Sequence, residues 1–471
     1  MKILLINPPI RESNLSNFPL GLSYIARVLL DNGHDISVLD INAHRWPQDE
    51  VKKKIVSSDS DVAGITALIT EYKYVRWLTK IIKEVNPSSK VILGGGLASA
   101  VPEIVLRRTN VDIAVIGEGE ITVKEVINSL EEGKNLNNVR GIMFKENNKL
   151  HETGTRAPIK NLDEIPFPAR ELFPMEIYLG NIGLGRKLVD ASARSANMIT
   201  SRGCPYNCAY CFKGMWGQKF RARSPENIIE EIEELIKRYK INNIFFNDDI
   251  FVLDKKRVYS FCDKLVERNI NISWECNGRV NLMDIDMLKK MRAAGCRIVS
   301  YGIESGNQEI LDALNKKVTV EQAKRAIQLT WDAGILPKAY LMIGMFGETK
   351  KSVQDTIDFC KEAGPIVFGF SFTTPLPNTV LYQKAKEAGK ISTEEELTEQ
   401  WGSWSDTIIT NLTEMSDEEL KNLRDKAMKK IMVGVITTKI WKYYKVMGLK
   451  TLLQNSFSLL RMKIHKKYEE I

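Results

Sequence analysis

The stretch "TSRGCPYNCAYCF", Thr200–Phe212, places three of the seven cysteines of this 471-residue chain within eight positions. The spacing of Cys204, Cys208 and Cys211 is C-x3-C-x2-C. A structural zinc ion would need a fourth ligand, usually from a second Cys or His pair, and the four histidines all lie far from this stretch. A four-iron cluster held by three thiolates leaves one iron without a protein ligand. The spacing therefore favours such a cluster, with its open position available to a substrate or cosubstrate.

The other cysteines and the overall composition indicate a globular protein of the cytoplasm. Hydrophobic residues make up 44% and charged residues 27% of the chain, and no apolar run approaches the roughly 20 residues that span a bilayer. The N-terminal "MKILLINPP" is too short and too soon interrupted by proline to be a secretory signal. The remaining cysteines lack the even spacing of a disulfide framework and are expected to be small buried residues: Cys262, Cys276, Cys296 and Cys360.

The first 150 residues alternate between short apolar runs and amphipathic segments. This alternation predicts a parallel sheet covered on both faces, with ligands bound beyond the carboxyl ends of the strands. The predicted strands are 2–8, 36–41, 62–67, 90–96 and 112–117. The predicted helices are 19–33, 71–85 and 121–132.

The glycines of this region argue against a dinucleotide. No G-x-G-x-x-G follows the first strand, and three glycines instead follow the fourth strand, at Gly94, Gly95 and Gly96. Nicotinamide and flavin cofactors are therefore not expected. Two explanations for the glycines stay open: they form a tight turn, or they let a bulky ligand approach the backbone.

A proline-rich segment separates this region from a second set of strand–helix units. Residues 151–196 include "NLDEIPFPARELFP", whose prolines exclude a continuous helix or a central strand. Residues 197–390 then contain six strand–helix units, beginning with a strand at "MITSR", 198–202. Six units in roughly 190 residues, against about 250 for a closed eight-unit barrel, predict an open partial barrel. Residues 391–471 are predicted to be mostly helical.

The cysteine spacing, with aromatic Tyr210 and Phe212 beside the last cysteine, resembles that of radical S-adenosylmethionine enzymes. The partial six-unit barrel is also the fold of that family. The resemblance implies a [4Fe-4S] cluster on Cys204, Cys208 and Cys211, whose unique iron chelates S-adenosylmethionine. It also implies reductive cleavage of that cosubstrate to methionine and a 5′-deoxyadenosyl radical.

The resemblance assigns S-adenosylmethionine contacts to the ends of the barrel strands. A carboxylate at the second strand end can accept hydrogen bonds from an ammonium group, although the family's glycines are absent there. The third strand end would hold the carboxylate, the fourth the ribose or the ammonium, and the fifth the adenine. The residues, in that order, are Asp248 and Asp249, Asn277 and Arg279, Glu304, and Gly344. The alternative for each residue is a helix cap or a surface turn.

The N-terminal region resembles the flavodoxin-like or Rossmann-like cobalamin-binding domain that precedes the barrel in a subset of these enzymes, and the resemblance extends to about residue 390. The implied cobalamin contacts are Thr66, Leu68, Gly94, Gly95, Gly96, Gly117 and Glu118. Many cobalamin proteins carry D-x-H-x-x-G after the first strand, and this chain has no histidine there. His34 and His44 are not placed for that role. The lower ligand of cobalt would then be water or another side chain, or cobalt would have no lower ligand.

The resemblance implies an α/β enzyme with four parts: a cobalamin-binding domain (1–150), a linker (151–196), the radical barrel (197–390) and a helical C-terminal region (391–471). The expected activity is C-methylation of an unactivated carbon through the 5′-deoxyadenosyl radical, with one S-adenosylmethionine methylating cobalamin and another generating the radical. Two alternatives are a cyclase or oxidoreductase similar to the anaerobic magnesium-protoporphyrin IX monomethyl ester cyclase, and a non-catalytic cobalamin- or cluster-binding protein. A methylthiotransferase is not expected because the N-terminal region has no second cysteine triad.

The expected partners are a small-molecule, lipid or tetrapyrrole substrate and a reductase such as flavodoxin or ferredoxin. The net charge of +8 is too modest for this length to indicate nucleic acid. Much of the positive charge lies between Lys439 and Lys467, which is interpreted either as helices packed on the body or as a basic surface for peripheral contact with a membrane. Trp401 and Trp404 are interpreted as packing or lid residues, with substrate contact as the alternative.

Overall fold

The computed structural model describes residues 1–10, 18–180, 192–391 and 407–447. The chain divides into two compact units, which are described separately. The N-terminal unit comprises Met1–Tyr178, Ser201–Ser224 and Phe372–Leu412. The barrel unit comprises Leu179–Thr200, Pro225–Ser371 and Thr413–Ile471.

The described part of the N-terminal unit contains a seven-stranded sheet in the order β2-β1-β3-β4-β5-β6-β7. The strands are β1 Lys2–Asn7, β2 Asp35–Asp40, β3 Val62–Thr66, β4 Lys90–Gly94, β5 Ile113–Val115, β6 Ile142–Glu146 and β7 Lys149–Glu152. The first five strands are parallel, as the sequence predicts, and β6 and β7 add an antiparallel hairpin. Positive φ angles at Asn147 and Asn148 form the two-residue turn of that hairpin.

Helices flank this sheet because each of the longer ones buries an apolar stripe. Tyr72–Val85, for example, buries Val75, Leu78 and Ile82 while its charged residues stay on the other side. The helices of this part of the chain are α1 Leu20–Asp31, α2 Ile41–His44, α3 Gln48–Val56, α4 Tyr72–Val85, α5 Gly95–Ala100, α6 Pro102–Arg108, α7 Glu120–Glu131 and α8 Met175–Gly180. The strand order reverses between β1 and β3, and parallel sheets bind ligands at the carboxyl edge beside such a point.

The barrel unit is built on six strands that follow one another in chain order across the sheet. They are β8 Ser195–Met198, β11 Asn243–Phe246, β12 Ser273–Gly278, β13 Cys296–Glu304, β14 Leu336–Ile343 and β15 Ile366–Phe372. The ladders from β8 to β14 are parallel. Because β8 and β15 stand at the two ends of the order, the predicted open six-stranded barrel is confirmed.

Helices follow the barrel strands along the chain, in agreement with the predicted strand–helix units. They are α9 Pro225–Tyr239, α10 Lys255–Glu267, α11 Ile285–Ala293, α12 Gln308–Ala313, α13 Val320–Asp332, α14 Lys350–Ala363 and α15 Val380–Glu387. The short α12 was not predicted. Trp274, Phe246, Phe251 and Phe261 form a fully buried aromatic cluster under β11 and β12.

The first barrel strand was predicted at 198–202, and this placement is wrong. Strand β8 ends at Met198, and the chain then leaves the barrel sheet. Ser201–Arg202 forms a separate short strand, β9, which pairs antiparallel with β10, Arg221–Ala222, in the N-terminal unit. The cause is a tertiary contact, because the Thr200 backbone N–H donates to the Asp248 carboxylate instead of to a neighbouring strand.

The C-terminal helix α16, Asp417–Met447, packs beside α14 within the barrel unit. A Cβ at Gly434 would lie 2.6 Å from the Lys361 side chain, so glycine permits the close approach. The Tyr443 ring meets Trp331 edge-on at 5.1 Å. The packed interpretation therefore holds for this helix.

The predictions for Trp401, Trp404 and residues beyond Met447 lie outside the described residues. Among the described residues, no helix combines the length and the apolar character that crossing a bilayer requires.

Candidate functional site

The three predicted cluster ligands lie on one compact loop between β9 and β10. Cys208 is buried, Cys204 and Cys211 are half-buried, and all three are thiols rather than disulfides. The Cys211 N–H donates to the Cys208 carbonyl at 3.1 Å, which turns the chain tightly between these two ligands. At the base of the loop a Cβ on Gly203 would lie 2.3 Å from the Lys219 carbonyl oxygen, so only glycine fits there.

The donor set consists of three cysteine thiols, which are the ligands that an iron–sulfur cluster takes. Within the described ranges, no group of three or more His, Cys, Asp or Glu side chains is close enough together to hold one metal ion. A cubane cluster takes each thiolate on a different iron, so its ligands surround it without converging on one point. Three thiols on a tight loop therefore match a cluster that keeps one iron for a non-protein ligand.

Two buried glutamates hold the two strands from which the cysteine loop extends. Arg221 Nη2 lies 2.5 Å from Glu118 Oε1, and Arg202 Nη2 lies 2.5 Å from Glu120 Oε1. All four side chains are at most 10% exposed. Burial by itself disfavours the charged guanidinium, but the adjacent Glu120 carboxylate outweighs it, and the pKa of Arg202 is raised. Sequence reasoning missed this network.

The second oxygen of Glu118 is also engaged, because Oε2 accepts the Ile159 N–H at 2.8 Å. Oε1 makes the ion pair with Arg221 but accepts no hydrogen bond from the described residues. Contact between Glu118 and cobalamin stays a prediction, but the structure assigns this side chain to an internal ion pair.

The turns that follow β3 and β4 lie side by side at the carboxyl edge of the N-terminal sheet. Thr66 and Gly94 are register partners, and a Cβ on Gly95 would lie 2.8 Å from the Ala67 carbonyl oxygen. Crowding of the backbone therefore explains Gly95, whose φ is +85°. A Cβ on Gly94, in contrast, would meet no atom of the described chain within 4 Å.

The Leu68 side chain after β3 is 44% exposed, so Gly94 and Leu68 both border space that the described chain leaves open at this edge of the sheet. These two residues fit a bulky ligand such as cobalamin. The predicted contact Gly117 lies beside the same edge, where its N–H donates to Ser99 Oγ at 3.0 Å.

The end of β1 does not present a histidine, in agreement with the sequence. Asn7 occupies this strand end and donates to Asp40 Oδ1 at 2.8 Å, and Tyr178 donates to Asp40 Oδ2 at 2.7 Å. Burial raises the pKa of Asp40. His44 stacks on Trp46 at 4.3 Å. This strand end is therefore filled by internal hydrogen bonds.

In the barrel unit, Asp248 anchors the chain just before the cysteine loop. Its fully buried carboxylate accepts the Thr200 N–H at 2.6 Å and the Thr200 hydroxyl at 2.5 Å. Arg257 adds an ion pair to Asp248 at 3.6 Å and donates to the Thr200 hydroxyl at 2.9 Å. Thr200 stands four residues before Cys204, so Asp248 fixes the start of that loop, whereas Asp249 is exposed.

Asn277 and Arg279, which are predicted to hold the carboxylate of S-adenosylmethionine, both donate hydrogen bonds within the protein, and their contact with that carboxylate stays a prediction. Asn277 Nδ2 donates to the Asp248 carbonyl at 3.0 Å, whereas its buried Oδ1 has no hydrogen-bond partner in the described part of the chain. Asn277 therefore offers an acceptor to a ligand rather than a donor. Arg279 donates to the Lys316 carbonyl.

Glu304 forms a buried ion pair with Lys316 at 2.8 Å, and both side chains are 8% exposed. A Cβ on Gly302 would lie 2.4 Å from Glu304 Oε1, so the pair packs directly on this glycine. Glu304 has a φ of +66°, a backbone conformation that is rare for glutamate. The geometry leaves the prediction of a ribose or ammonium contact untested.

A second glutamate, Glu348, was missed and lies at the end of β14. Its Oε2 accepts the N–H of Gly344 at 2.5 Å and of Met345 at 3.3 Å. Its Oε1 is buried without a hydrogen-bond partner among the residues described. Burial raises the pKa of Glu348 to about 7. The signal was present in "IGMFGET", where a glutamate follows a glycine-containing turn at a strand end.

Comparison with known proteins agrees with both halves of this description. A model of the radical SAM superfamily matches residues 198–360, and a model of the B12 binding domain matches residues 9–127. A Pyrococcus horikoshii protein named uncharacterized methyltransferase PH0819 is 33% identical over 436 residues, 91% of each chain. The chain belongs to the B12-binding radical S-adenosylmethionine enzymes.

Further relatives of this family are similar over most of the chain. The anaerobic magnesium-protoporphyrin IX monomethyl ester cyclase of Rubrivivax gelatinosus is 30% identical and covers 82% of this chain and 70% of its own. The structure of the radical S-adenosylmethionine methyltransferase TsrM from Kitasatospora setae, with cobalamin and a [4Fe-4S] cluster bound, shares the fold at a TM-score of 0.69 and 19% identity, covering 84% of this chain and 76% of TsrM.

Family membership confirms the predicted α/β fold class, the radical enzyme chemistry and the three cofactors: the [4Fe-4S] cluster, S-adenosylmethionine and cobalamin. The individual contact residues and the domain boundaries stay predictions.

Proposed function

We propose that this enzyme transfers a methyl group to an unactivated carbon of a small molecule through a 5′-deoxyadenosyl radical. The observation that carries the proposal is the occurrence, within one unit, of a three-thiol loop and of open space at Gly94 on the carboxyl edge of a parallel sheet. Cys204, Cys208 and Cys211 would hold the cluster, and Leu68 and Gly94 would border cobalamin. The name of the Pyrococcus horikoshii relative supports methyl transfer.

The cofactors supply the electron and the methyl group, and the protein supplies orientation and exclusion of water. Asp248 holds Thr200 and thereby the start of the cluster loop. Asn277 Oδ1 and Glu348 Oε1 are buried acceptors at barrel strand ends and would bind the ammonium and hydroxyl or amino groups of S-adenosylmethionine.

The test is anaerobic reconstitution with iron, sulfide and cobalamin, followed by addition of S-adenosylmethionine and dithionite. We expect both 5′-deoxyadenosine, which reports radical cleavage, and S-adenosylhomocysteine, which reports methyl transfer. Heat-denatured enzyme with the same additions is the control. 5′-Deoxyadenosine without S-adenosylhomocysteine would exclude methyl transfer and retain radical chemistry.

That second outcome would favour the cyclase or oxidoreductase alternative. The relation to the Rubrivivax gelatinosus cyclase, at 30% identity, makes this the competing activity. Adding a magnesium-protoporphyrin monomethyl ester to the reconstituted enzyme tests it, because only a cyclase would consume this compound without releasing S-adenosylhomocysteine.

The physiological electron donor would be a flavodoxin or ferredoxin, since the cluster needs one electron for each cleavage. Replacing dithionite by reduced flavodoxin should sustain formation of 5′-deoxyadenosine.

A lipid substrate or peripheral membrane contact through Lys439–Lys467 would show as binding to anionic vesicles that is lost when the segment after Met447 is removed.

A further inference from the structure

The two strands that carry the cysteine loop place two arginines directly opposite each other. Arg202 on β9 and Arg221 on β10 are register partners in the antiparallel ladder, and both side chains are at most 6% exposed. Like charges on opposing positions of a ladder repel each other. The ladder therefore depends on anions placed beside it.

Both anions come from a single turn of the N-terminal sheet domain. Glu118 and Glu120 lie between the end of β5 and the first turn of α7, and each contacts a different arginine at 2.5 Å. Glu118 also lies 3.8 Å from Arg202, so the four charges form one network rather than two separate pairs. Two residues of one turn thus hold both ends of the loop that carries the thiols.

Two further contacts connect the same regions. Arg221 Nη1 donates to the Ile159 carbonyl at 2.6 Å, while the Ile159 N–H donates to Glu118. Ser99 Oγ lies 3.3 Å from the sulfur of Met215, a residue between the last cysteine and β10, and accepts the Gly117 N–H. The cysteine loop is therefore attached to the turns after both β4 and β5, the edge where cobalamin is proposed to bind.

Fold stability alone does not explain four buried charges. Replacing a complete buried ion pair by apolar residues is often neutral or stabilising, so such networks contribute geometry more than free energy. Catalysis between two bound cofactors depends on geometry, because a displacement of about 1 Å can lower a rate by roughly 10²-fold.

We propose that Glu118 and Glu120 are positioning residues that fix the cysteine loop, and with it the cluster, relative to the cobalamin-binding edge of the N-terminal unit. This inference rests on the proposed function for its catalytic consequence. Its structural consequence, a loop whose order depends on two glutamates, is testable without any cofactor.

The first experiment is hydrogen–deuterium exchange, followed by mass spectrometry, on cofactor-free Glu118→Gln and Glu120→Gln. Peptides covering 203–220 should exchange at least about 10-fold faster than in the wild type, while peptides covering β1 and β4 remain unchanged, because opening of a local segment is independent of the core. Glu125→Gln is the matched control, since it removes the half-exposed Glu125–Arg156 pair from the same α7. Unchanged exchange at 203–220, or equal acceleration throughout the unit, would overturn the proposal.

The second experiment uses reconstituted enzyme in a single turnover. The positioning role takes the S-adenosylmethionine held at the cluster as the methyl donor to cobalamin. In the two variants S-adenosylhomocysteine formed per bound cobalamin should therefore fall by roughly 10²-fold, whereas 5′-deoxyadenosine, whose formation needs the cluster alone, should fall less than about threefold. Equal losses of both products would overturn the positioning role. If the wild type forms no S-adenosylhomocysteine, the proposed function fails, and the exchange experiment alone decides the inference.

If a single variant folds poorly, the double variant Glu120→Gln with Arg202→Met separates loss of overall stability from loss of order in the loop. This double change removes both charges of one pair, so the melting temperature should return toward that of the wild type while peptides 203–220 stay unprotected. Restoration of loop protection together with the melting temperature would show that the charges serve stability only.

Discussion

Buried carboxylates follow parallel strands in both units, but the groups that they contact differ between the two sites. In the N-terminal unit Glu118 and Glu120 are bound by Arg221 and Arg202. In the barrel unit Glu348 accepts only backbone N–H groups in the described part of the chain, and its pKa is raised to about 7. The first site pairs each carboxylate with a guanidinium group, whereas the carboxyl group of the second can gain or lose a proton near neutral pH.

The difference separates residues that build the site from residues that remain available to a ligand. Each Glu–Arg pair satisfies the charge of both partners, so these groups determine where a loop lies. Asn277 Oδ1 and Glu348 Oε1 keep acceptor capacity at strand ends, and a bound cosubstrate would satisfy it. We infer that the cysteine loop is held in place before cofactor binding, whereas the barrel edge is completed by it.

The variant with the largest expected effect tests whether the thiols of the cysteine loop alone hold the cluster. Cys208→Ala should lose the iron–sulfur absorption after reconstitution and yield no detectable 5′-deoxyadenosine, because a four-iron cluster needs its thiolate ligands. Iron content per chain and the visible spectrum measure the first result. Cys262→Ala is the control, since burial raises the pKa of the Cys262 thiol to about 12 and keeps it protonated. Loss of the cluster in both variants would contradict the assignment.

The next effect concerns the buried network as a structural element. Arg202→Met leaves the Glu120 carboxylate buried without its partner, which should lower the free energy of unfolding by about 3–5 kcal/mol. Arg156→Met, which removes the half-exposed pair with Glu125, should cost no more than about 1 kcal/mol. Urea denaturation of the two cofactor-free variants measures both. Similar losses in the two variants would remove the contrast between buried and surface pairs.

Much of this arrangement was predictable because its signals are local in the sequence. The cysteine spacing gave the cluster loop, and apolar runs gave the strands of both sheets to within a few residues. The strand at 198–202 was misplaced because its apolar pattern continues to Ile199, whereas a hydrogen bond from Thr200 to Asp248, 48 residues away, ends the pairing. The hairpin of β6 and β7 also has a local signal, because the asparagine pair in "ENNK" favours the positive φ angles of a two-residue turn.

The ion network could not be read from one sequence. Glu118 and Arg221 are 103 positions apart, and the sequence around either residue does not predict that the two form an ion pair. "VIGEGE" was assigned to cobalamin by resemblance, which stays a prediction, and the resemblance did not indicate the ion pair of Glu118 with Arg221. The same holds for Glu304, whose partner Lys316 follows it by 12 residues, in the loop between α12 and α13.

Glu348→Gln tests whether the carboxyl group of Glu348 gains or loses a proton near neutral pH. Because the folded-state pKa of about 7 exceeds the usual 4.5, the native protein binds more protons than the unfolded chain between these values, and the wild type loses stability as the pH rises through this window. The variant should therefore be more stable than the wild type by about 3 kcal/mol at pH 8 and by less than about 1 kcal/mol at pH 5. Denaturation at the two pH values measures the difference, with exposed Glu309→Gln as the control. A stability difference that does not change with pH would show that Glu348 does not titrate in this range.

The smallest expected effect on stability concerns the Glu304–Lys316 pair. Replacing both residues by Met removes the two buried charges together and fills similar volume, so the free energy of unfolding should change by no more than about 1 kcal/mol. Lys316→Met alone, which leaves Glu304 buried without its partner, is the matched comparison and should cost about 3–5 kcal/mol. Affinity for S-adenosylmethionine in the cluster-loaded double variant then separates the two roles of Glu304. If this residue contacts the ribose or the ammonium, binding weakens although the fold is intact, and if its role is confined to the ion pair, both stability and affinity stay close to those of the wild type.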